Sequence, residues 1–212
     1  MSRSKEATRA SYDRLSPWYD LIGGWAEKKH VQAGLGLLQA CEGEWILEIG
    51  SGTGNGLLAL RHSLGASGRA YGVDLSTGML GAARRKVRSS RLGERVELSQ
   101  GDGARLPFEA GCFEAVFMSF TLELFDAHKI PEVLGECRRV LRGAGRICVV
   151  ALSEKTGWMV RLYEAAHDKL PNVVDCRPIH VQQVIEDARF RVMNVRETTM
   201  WGLPVETVLA IK

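Results

Sequence analysis

Short apolar runs alternate with amphipathic stretches along most of this chain. The runs Trp45–Ile49, Ala70–Asp74, Val96–Ser99, Phe113–Phe120, Arg146–Leu152, Arg191–Thr198 and Val205–Ile211 predict seven strands. Between them, Ile130, Val133, Leu134, Cys137, Val140 and Leu141 recur at helical spacing and mark one apolar helix face, and Val181, Val184, Ile185 and Ala188 mark another. Strands alternating with helices predict a mostly parallel sheet covered on both sides, an α/β three-layer sandwich. Only Thr199–Pro204 separates the last two strands, too short for a crossover helix, so these two should form an antiparallel pair at the sheet edge.

The 212 residues suffice for one well-buried core, and no repeat or low-complexity linker divides them. The expectation is a single domain over 1–212. Its core is 44–155, preceded by an N-terminal helical segment 1–43 and followed by an insertion 156–179 and a C-terminal helix and strand pair 180–212.

Charge and cysteine usage narrow the function classes. A net charge of +3 does not by itself point to a nucleic-acid partner, and none is expected. The basic run Arg84, Arg85, Lys86, Arg88 and Arg91 reads as the solvated face of a helix opposite Met79, Ala83 and Val87. Cys41, Cys112, Cys137, Cys148 and Cys176 are scattered without a C-x-x-C pair, which suits reduced thiols in a cytoplasmic protein and argues against a disulfide framework or a metal site. No apolar run approaches the ~18 residues of a membrane helix. Trp18, Trp25, Lys28 and Lys29 leave peripheral membrane contact open beside the plainer reading of a lid with a buried aromatic pair. Oligomeric state is not legible.

The chemistry concentrates in Trp45–Gly56, where an apolar strand runs into alternating glycines, with Asp74 at the end of the next run. Glycine lets the backbone turn tightly and press against a ligand before a helix starts near Asn55, and a carboxylate at the next strand end can grip ribose hydroxyls. A dinucleotide G-x-G-x-x-G pattern would need glycine where Asn55 or Leu57 stands. The pattern present is E-x-G-x-G-x-G, Glu48 to Gly54.

That pattern resembles motif I of class I S-adenosylmethionine-dependent methyltransferases. Gly72-Val73-Asp74-Leu75-Ser76, Gly101–Phe108 and Arg139–Arg146 resemble the motifs that follow it. Tyr12-Asp13 and Tyr19-Asp20 resemble the N-terminal segment of the ubiquinone/menaquinone biosynthesis group, so the resemblance covers nearly the whole chain. Two local turn variations are Thr77, where relatives often have proline, and Gly143-Ala144-Gly145, in place of the usual proline-glycine-glycine; Ser119–Glu123 stands where the quinone-methylating enzymes carry a G-L-R-N type motif.

The resemblance implies a Rossmann-like methyltransferase fold, S-adenosyl-L-methionine as cofactor and a small-molecule acceptor, lipophilic in the quinone group. It implies that residues 1–43 form a lid, 44–155 hold the cofactor and 156–179 face the acceptor. Glu48, Gly50, Ser51, Gly52 and Gly54 would lie along the methionine end, Asp74 would take the ribose hydroxyls, and Leu75 and Met79 would flank the adenine. Gly101, Asp102, Gly103 and Ala104 would complete the adenine side, with Ser119 and Tyr19 near the methyl group.

Three residues are candidates for catalysis. Tyr19 would close over the methyl, unless it is plain core. Glu123 would accept a proton or a hydrogen bond, unless it only begins the next helix. His180, like His167, is a candidate base beside the insertion, unless it caps a helix. His30, His62 and His128 complete the histidines, and Arg177 would clamp an anionic acceptor or pair with Asp175. A nicotinamide-dependent oxidoreductase and a catalytically silent S-adenosylmethionine-binding protein remain the alternatives.

Overall fold

The computed structural model describes residues 5–22, 24–90, 95–154 and 177–212. Most of the expected insertion, with His167, Asp175 and Cys176, lies outside these residues, as do Arg91 and the side chains of Trp25 and His62. The chain begins with helices α1 (Lys5–Leu15), α2 (Tyr19–Ile22) and α3 (Gly24–Leu38). Then follow β1 (Trp45–Ile49), α4 (Asn55–Ser63), β2 (Arg69–Asp74), α5 (Thr77–Ser89), β3 (Val96–Gln100) and β4 (Phe113–Ser119). A 3-10 turn at Leu122–Leu124 leads to α6 (Ile130–Val140), β5 (Leu141–Leu152), α7 (Val181–Asp187), β6 (Arg191–Met200) and β7 (Leu203–Ile211).

The seven strands form one sheet in the order β3-β2-β1-β4-β5-β7-β6. Strands β1 to β5 pair in parallel, and β7 runs antiparallel to both β5 and β6. The reversal follows from the tight β6–β7 connection, where Trp201 (φ 51°) and Gly202 (φ 80°) both take the left-handed conformation of a two-residue hairpin turn.

Both sheet faces are covered, so the central strands carry apolar residues on both faces. Leu47, Ile49, Val116, Met118 and Val149 face one way onto Val133, Leu134 and Cys137 of α6 and Ile185 of α7. Ile46, Ala115, Phe117 and Val150 face the other way, onto Leu37 and Leu38 of α3 and Leu57 and Leu60 of α4. Each fully buried side chain of this size stabilises by about 1.5–3 kcal/mol relative to exposure. Helix α5 starts where Ser76 accepts from the Met79 N–H at 3.1 Å, and α6 starts on a proline in its first turn.

Strands β2, β3, β6 and β7 each differ from expectation by one or two residues at one end, and two further boundaries differ for a local reason. Strand β4 ends at Ser119 because Phe120 turns to φ 49°. Strand β5 begins at Leu141, paired with Phe113, and its ladder is irregular before Ala115 meets Arg146.

Candidate active site

A cleft opens where β1, β2 and β4 end, the usual ligand position in an open parallel sheet. Beyond β1 the Gly50 and Ser51 N–H groups bond the Val73 carbonyl at 2.8 and 3.2 Å. Gly50 has φ 70°, and any Cβ there would run into the Thr121 side chain. Gly52 has φ 51°, and its missing Cβ points into open space, so bare backbone meets whatever fills the cleft. Asp74 fastens this loop: one carboxylate oxygen accepts from the Gly52 N–H and the other from the Ser76 N–H, both at 2.8 Å. Burial pushes its carboxyl above the usual range, against those backbone bonds.

The opposite wall is Gly101, Asp102 and Gly103, where Asp102 accepts from the Ala104 N–H at 3.0 Å. Leu75, Met79, Leu124 and Phe125 give this end an apolar lining suited to a flat base. The N-terminal helices close the third side with Thr8, Arg9, Tyr12 and Tyr19.

Two aspartates anchor those helices to the core. Asp13 accepts from the Ser76 hydroxyl at 2.6 Å and the Gly78 N–H at 2.8 Å, and the Ser76 bond holds its carboxyl below the usual range. Asp20 accepts from Thr53 at 2.7 Å and Asn55 at 3.0 Å and pairs with Lys86 at 2.6 Å. Burial alone would raise Asp20, but these partners bring it below the usual range. Lys86 is therefore turned onto Asp20 of α2 rather than into solvent with Arg84, Arg85 and Arg88, which corrects the expected uniformly solvated face.

Of the expected site residues, Tyr19, Gly50, Gly52, Asp74, Leu75, Met79, Gly101, Asp102, Gly103 and Ser119 come together around the cleft. Glu48, Ser51, Gly54 and Ala104 stand behind its walls. Glu48 lies beneath the start of α4, where Leu57 donates to it, and burial with the Asp74 charge raises it to about 8. It supports the glycine loop from below rather than facing the cleft.

Two candidate catalytic residues are displaced. Glu123 is buried away from the cleft, and one of its oxygens accepts from the Leu152 N–H at 3.1 Å. The reason is local: the β4–β5 ladder stops at Ser119 and Val150, so an amide further along β5 needs another acceptor. Burial raises Glu123 to about 8. His180 is exposed at the start of α7, makes no side-chain cap and lies 3.7 Å from Glu154. Arg177 is exposed too, and its N–H donates to the Glu123 carbonyl at 3.2 Å.

Residues that pattern reading passed over also matter. Asp13 and Asp20 were visible only as the second halves of the Tyr-Asp pairs. Glu27 receives the Tyr19 hydroxyl, and His30 is buried with Nδ1 3.1 Å from the Thr198 hydroxyl and its ring edge-on to Phe120. Neither residue belongs to a motif.

Taken with this geometry, the comparisons define the class. Residues 46–145 match the family model described as a methyltransferase domain. This segment, its relatives and the fold support a class I S-adenosylmethionine-dependent methyltransferase, and the nicotinamide and silent-binder alternatives are not favoured. Within the class it is similar to demethylmenaquinone methyltransferases of Lactobacillus johnsonii (29% identical, 76% of this chain and 67% of that one) and Symbiobacterium thermophilum (31%, 69% and 60%). A 2-phytyl-1,4-naphtoquinone methyltransferase of Trichormus variabilis is 26% identical over 74% of this chain and 69% of that one. The aligned part thus spans between 60% and 69% of these relatives.

Solved structures agree on the fold. The cyclase SpnF superposes with a TM-score of 0.81 at 14% identity, covering 100% of this chain and 97% of the other. An S-adenosylmethionine-dependent methyltransferase from Aquifex aeolicus gives 0.68 at 20% identity over 96% and 97%. A geranyl diphosphate methyltransferase in complex with S-adenosylmethionine gives 0.70 at 18% over 86% and 84%.

Proposed function

We propose that this methyltransferase modifies a quinone-type, lipophilic acceptor in the cytoplasm, using 1–212 as a single domain. Residues 1–43 act as the lid, 44–155 hold the cofactor, 156–179 face the acceptor and 180–212 complete the sheet. The acceptor class comes from the names of the relatives. The observation that carries the site is the convergence of Tyr19, Gly52, Asp74 and Asp102 on one cleft at the strand ends.

S-adenosylmethionine supplies an electrophilic methyl group on a sulfonium. Gly52 fits the cofactor because its open Cβ position lets the main chain approach closely. Asp74 keeps lone pairs for two ribose hydroxyls after accepting its two backbone bonds, and Asp102 accepts from the adenine amino group beside Leu75 and Met79. Glu48, Ser51 and Gly54 hold the loop in shape. The chain's main contribution to rate is then orientation in a closed, dry site, an effect that can supply roughly 7–11 kcal/mol.

The test is ligand stabilisation, since a ligand that binds only the folded state raises the melting temperature. S-adenosylhomocysteine should raise the Tm of the parent and leave Asp74→Ala unmoved; equal shifts in both would refute the ribose assignment. Labelled methyl transfer to 1,4-dihydroxynaphthalene under reducing conditions tests the acceptor class.

A further inference from the structure

Methyl transfer to a hydroxyl-bearing aromatic releases one proton, which the site must accept. Tyr19 reaches the cleft from α2 and donates its hydroxyl hydrogen to Glu27 of α3, 3.2 Å from each carboxylate oxygen. A phenol whose hydrogen is committed in this way presents oxygen lone pairs to a ligand. It can accept from a hydroxyl but has nothing to donate to a carbonyl.

The surroundings suit a proton acceptor. Burial pushes Glu27 above the usual carboxylate range, the Tyr19 bond opposes this, and the Asp20 charge adds to it. From α2, Tyr19 and Asp20 face Glu27, with Asp20 in turn paired to Lys86 of α5. From the turn after β4 the buried Glu123 couples to it, with one oxygen that has no hydrogen-bond partner. On α3 itself, Lys28 and Lys29 are exposed, and His30 turns toward Thr198 of β6.

We propose that Glu27 receives, through the Tyr19 hydroxyl, the proton lost by the acceptor, and that the pair selects acceptors presenting a hydroxyl beside the methylated position. The acceptor O–H bond breaks and its hydrogen joins the Tyr19 oxygen, while the Tyr19 O–H bond breaks and that hydrogen joins a Glu27 oxygen. The pair left on the acceptor oxygen becomes a C=O π bond while the displaced ring π pair makes the new bond to the methyl carbon, and the pair of the broken methyl–sulfur bond stays on sulfur. The ring hydrogen at the methylated carbon then shifts to the oxygen to restore the aromatic ring. Tyr19 is the group that touches the acceptor, and Glu27 is a positioning residue acting through it. The inference rests on methyl transfer occurring in this cleft.

Calorimetry on the complex with S-adenosylhomocysteine, using 1-naphthol and 1-methoxynaphthalene as probes, tests the selection. The parent should prefer 1-naphthol by roughly tenfold, the worth of one well-placed hydrogen bond. Tyr19→Phe should abolish the preference and Glu27→Gln should diminish it. S-adenosylhomocysteine should still saturate both variants, so that the two probes are compared on the same complex; failure to bind the parent would instead defeat the methyltransferase site itself. Equal affinity of the parent for the two probes, or a preference that survives Tyr19→Phe, overturns the proposal.

Turnover of 1,4-dihydroxynaphthalene supplies the second measurement. Glu27 must be ionised to accept the proton, so parent kcat should fall as pH drops through a value above the ordinary carboxylate range. Glu27→Gln should lose roughly 10²–10⁴-fold in kcat with KM near the parent's, and lose that acid limb. Glu27→Asp should recover part of both. An acid limb unchanged in Glu27→Gln overturns the proposal, and if that variant does not fold, Tyr19→Phe decides it.

Discussion

Two regions beside the cleft are built from different materials. In the loop after β1 the main chain shapes the wall, with Gly50 and Gly52 in left-handed conformations and Asp74 accepting from two backbone amides. Where α2, α3 and the ends of β5 and β6 meet, side chains set the shape, with Tyr19 resting on Glu27, His30 on Thr198, and Glu123 sealing the end of β5 behind the cleft. Backbone recognition tolerates few residue types, whereas side-chain recognition can be rebuilt with many. On the proposed function, the first region would hold a fixed donor and the second a variable acceptor.

Several substitutions would break or sharpen the contrast. The largest effect should come from Gly50→Ala, which combines left-handed strain with a collision against Thr121; a loss of about 2–5 kcal/mol in denaturant unfolding is expected. A variant as stable as the parent would mean that the loop is less constrained than its backbone angles indicate.

Glu123 comes next, through pH. Its folded value of about 8 lies above that of an unfolded glutamate, so the folded state holds a proton that the unfolded state releases. Stability is therefore fully present at low pH and declines as pH rises from the ordinary carboxylate range to about 8, at up to about 1.4 kcal/mol per pH unit for each such group. Glu123→Gln should flatten this slope while Glu48, also raised to about 8, maintains the remainder. Parallel curves for variant and parent would show that Glu123 does not titrate there.

Asp20→Ala should have a smaller effect, weakening S-adenosylhomocysteine roughly fivefold, about 1 kcal/mol, by releasing Thr53, Asn55 and Lys86. Titration calorimetry at low and high salt would check this, with the loss expected to shrink in high salt because the Lys86 pair is partly exposed. His180→Ala should matter least, within about 0.5 kcal/mol in stability and twofold in turnover, as befits an exposed side chain. A large loss of activity would restore His180 as a candidate base.

What was legible in the sequence follows from the same contrast. Strand runs buried on both faces and helices with clean apolar stripes gave the sheet and its reversal, because burial imposes periodicity. The glycine loop, Asp74 and Asp102 were legible because their backbone roles restrict composition. Glu123 was misplaced because its partner, the Leu152 amide, is set by where a parallel ladder stops, which no local pattern encodes. Glu27 and His30 stayed hidden for a related reason: each looks like an ordinary helix residue until α3 is packed against α2 and β6. The likeness to a cyclase at a TM-score of 0.81 adds that the scaffold alone does not choose the reaction.

The place of β7 has a consequence for biosynthesis. It leaves the ribosome after both β5 and β6, yet it lies between them and hydrogen-bonds to both. Until residue 211 has emerged, β5 has an open edge and β6 has no neighbour, so the sheet cannot close on the nascent chain before then.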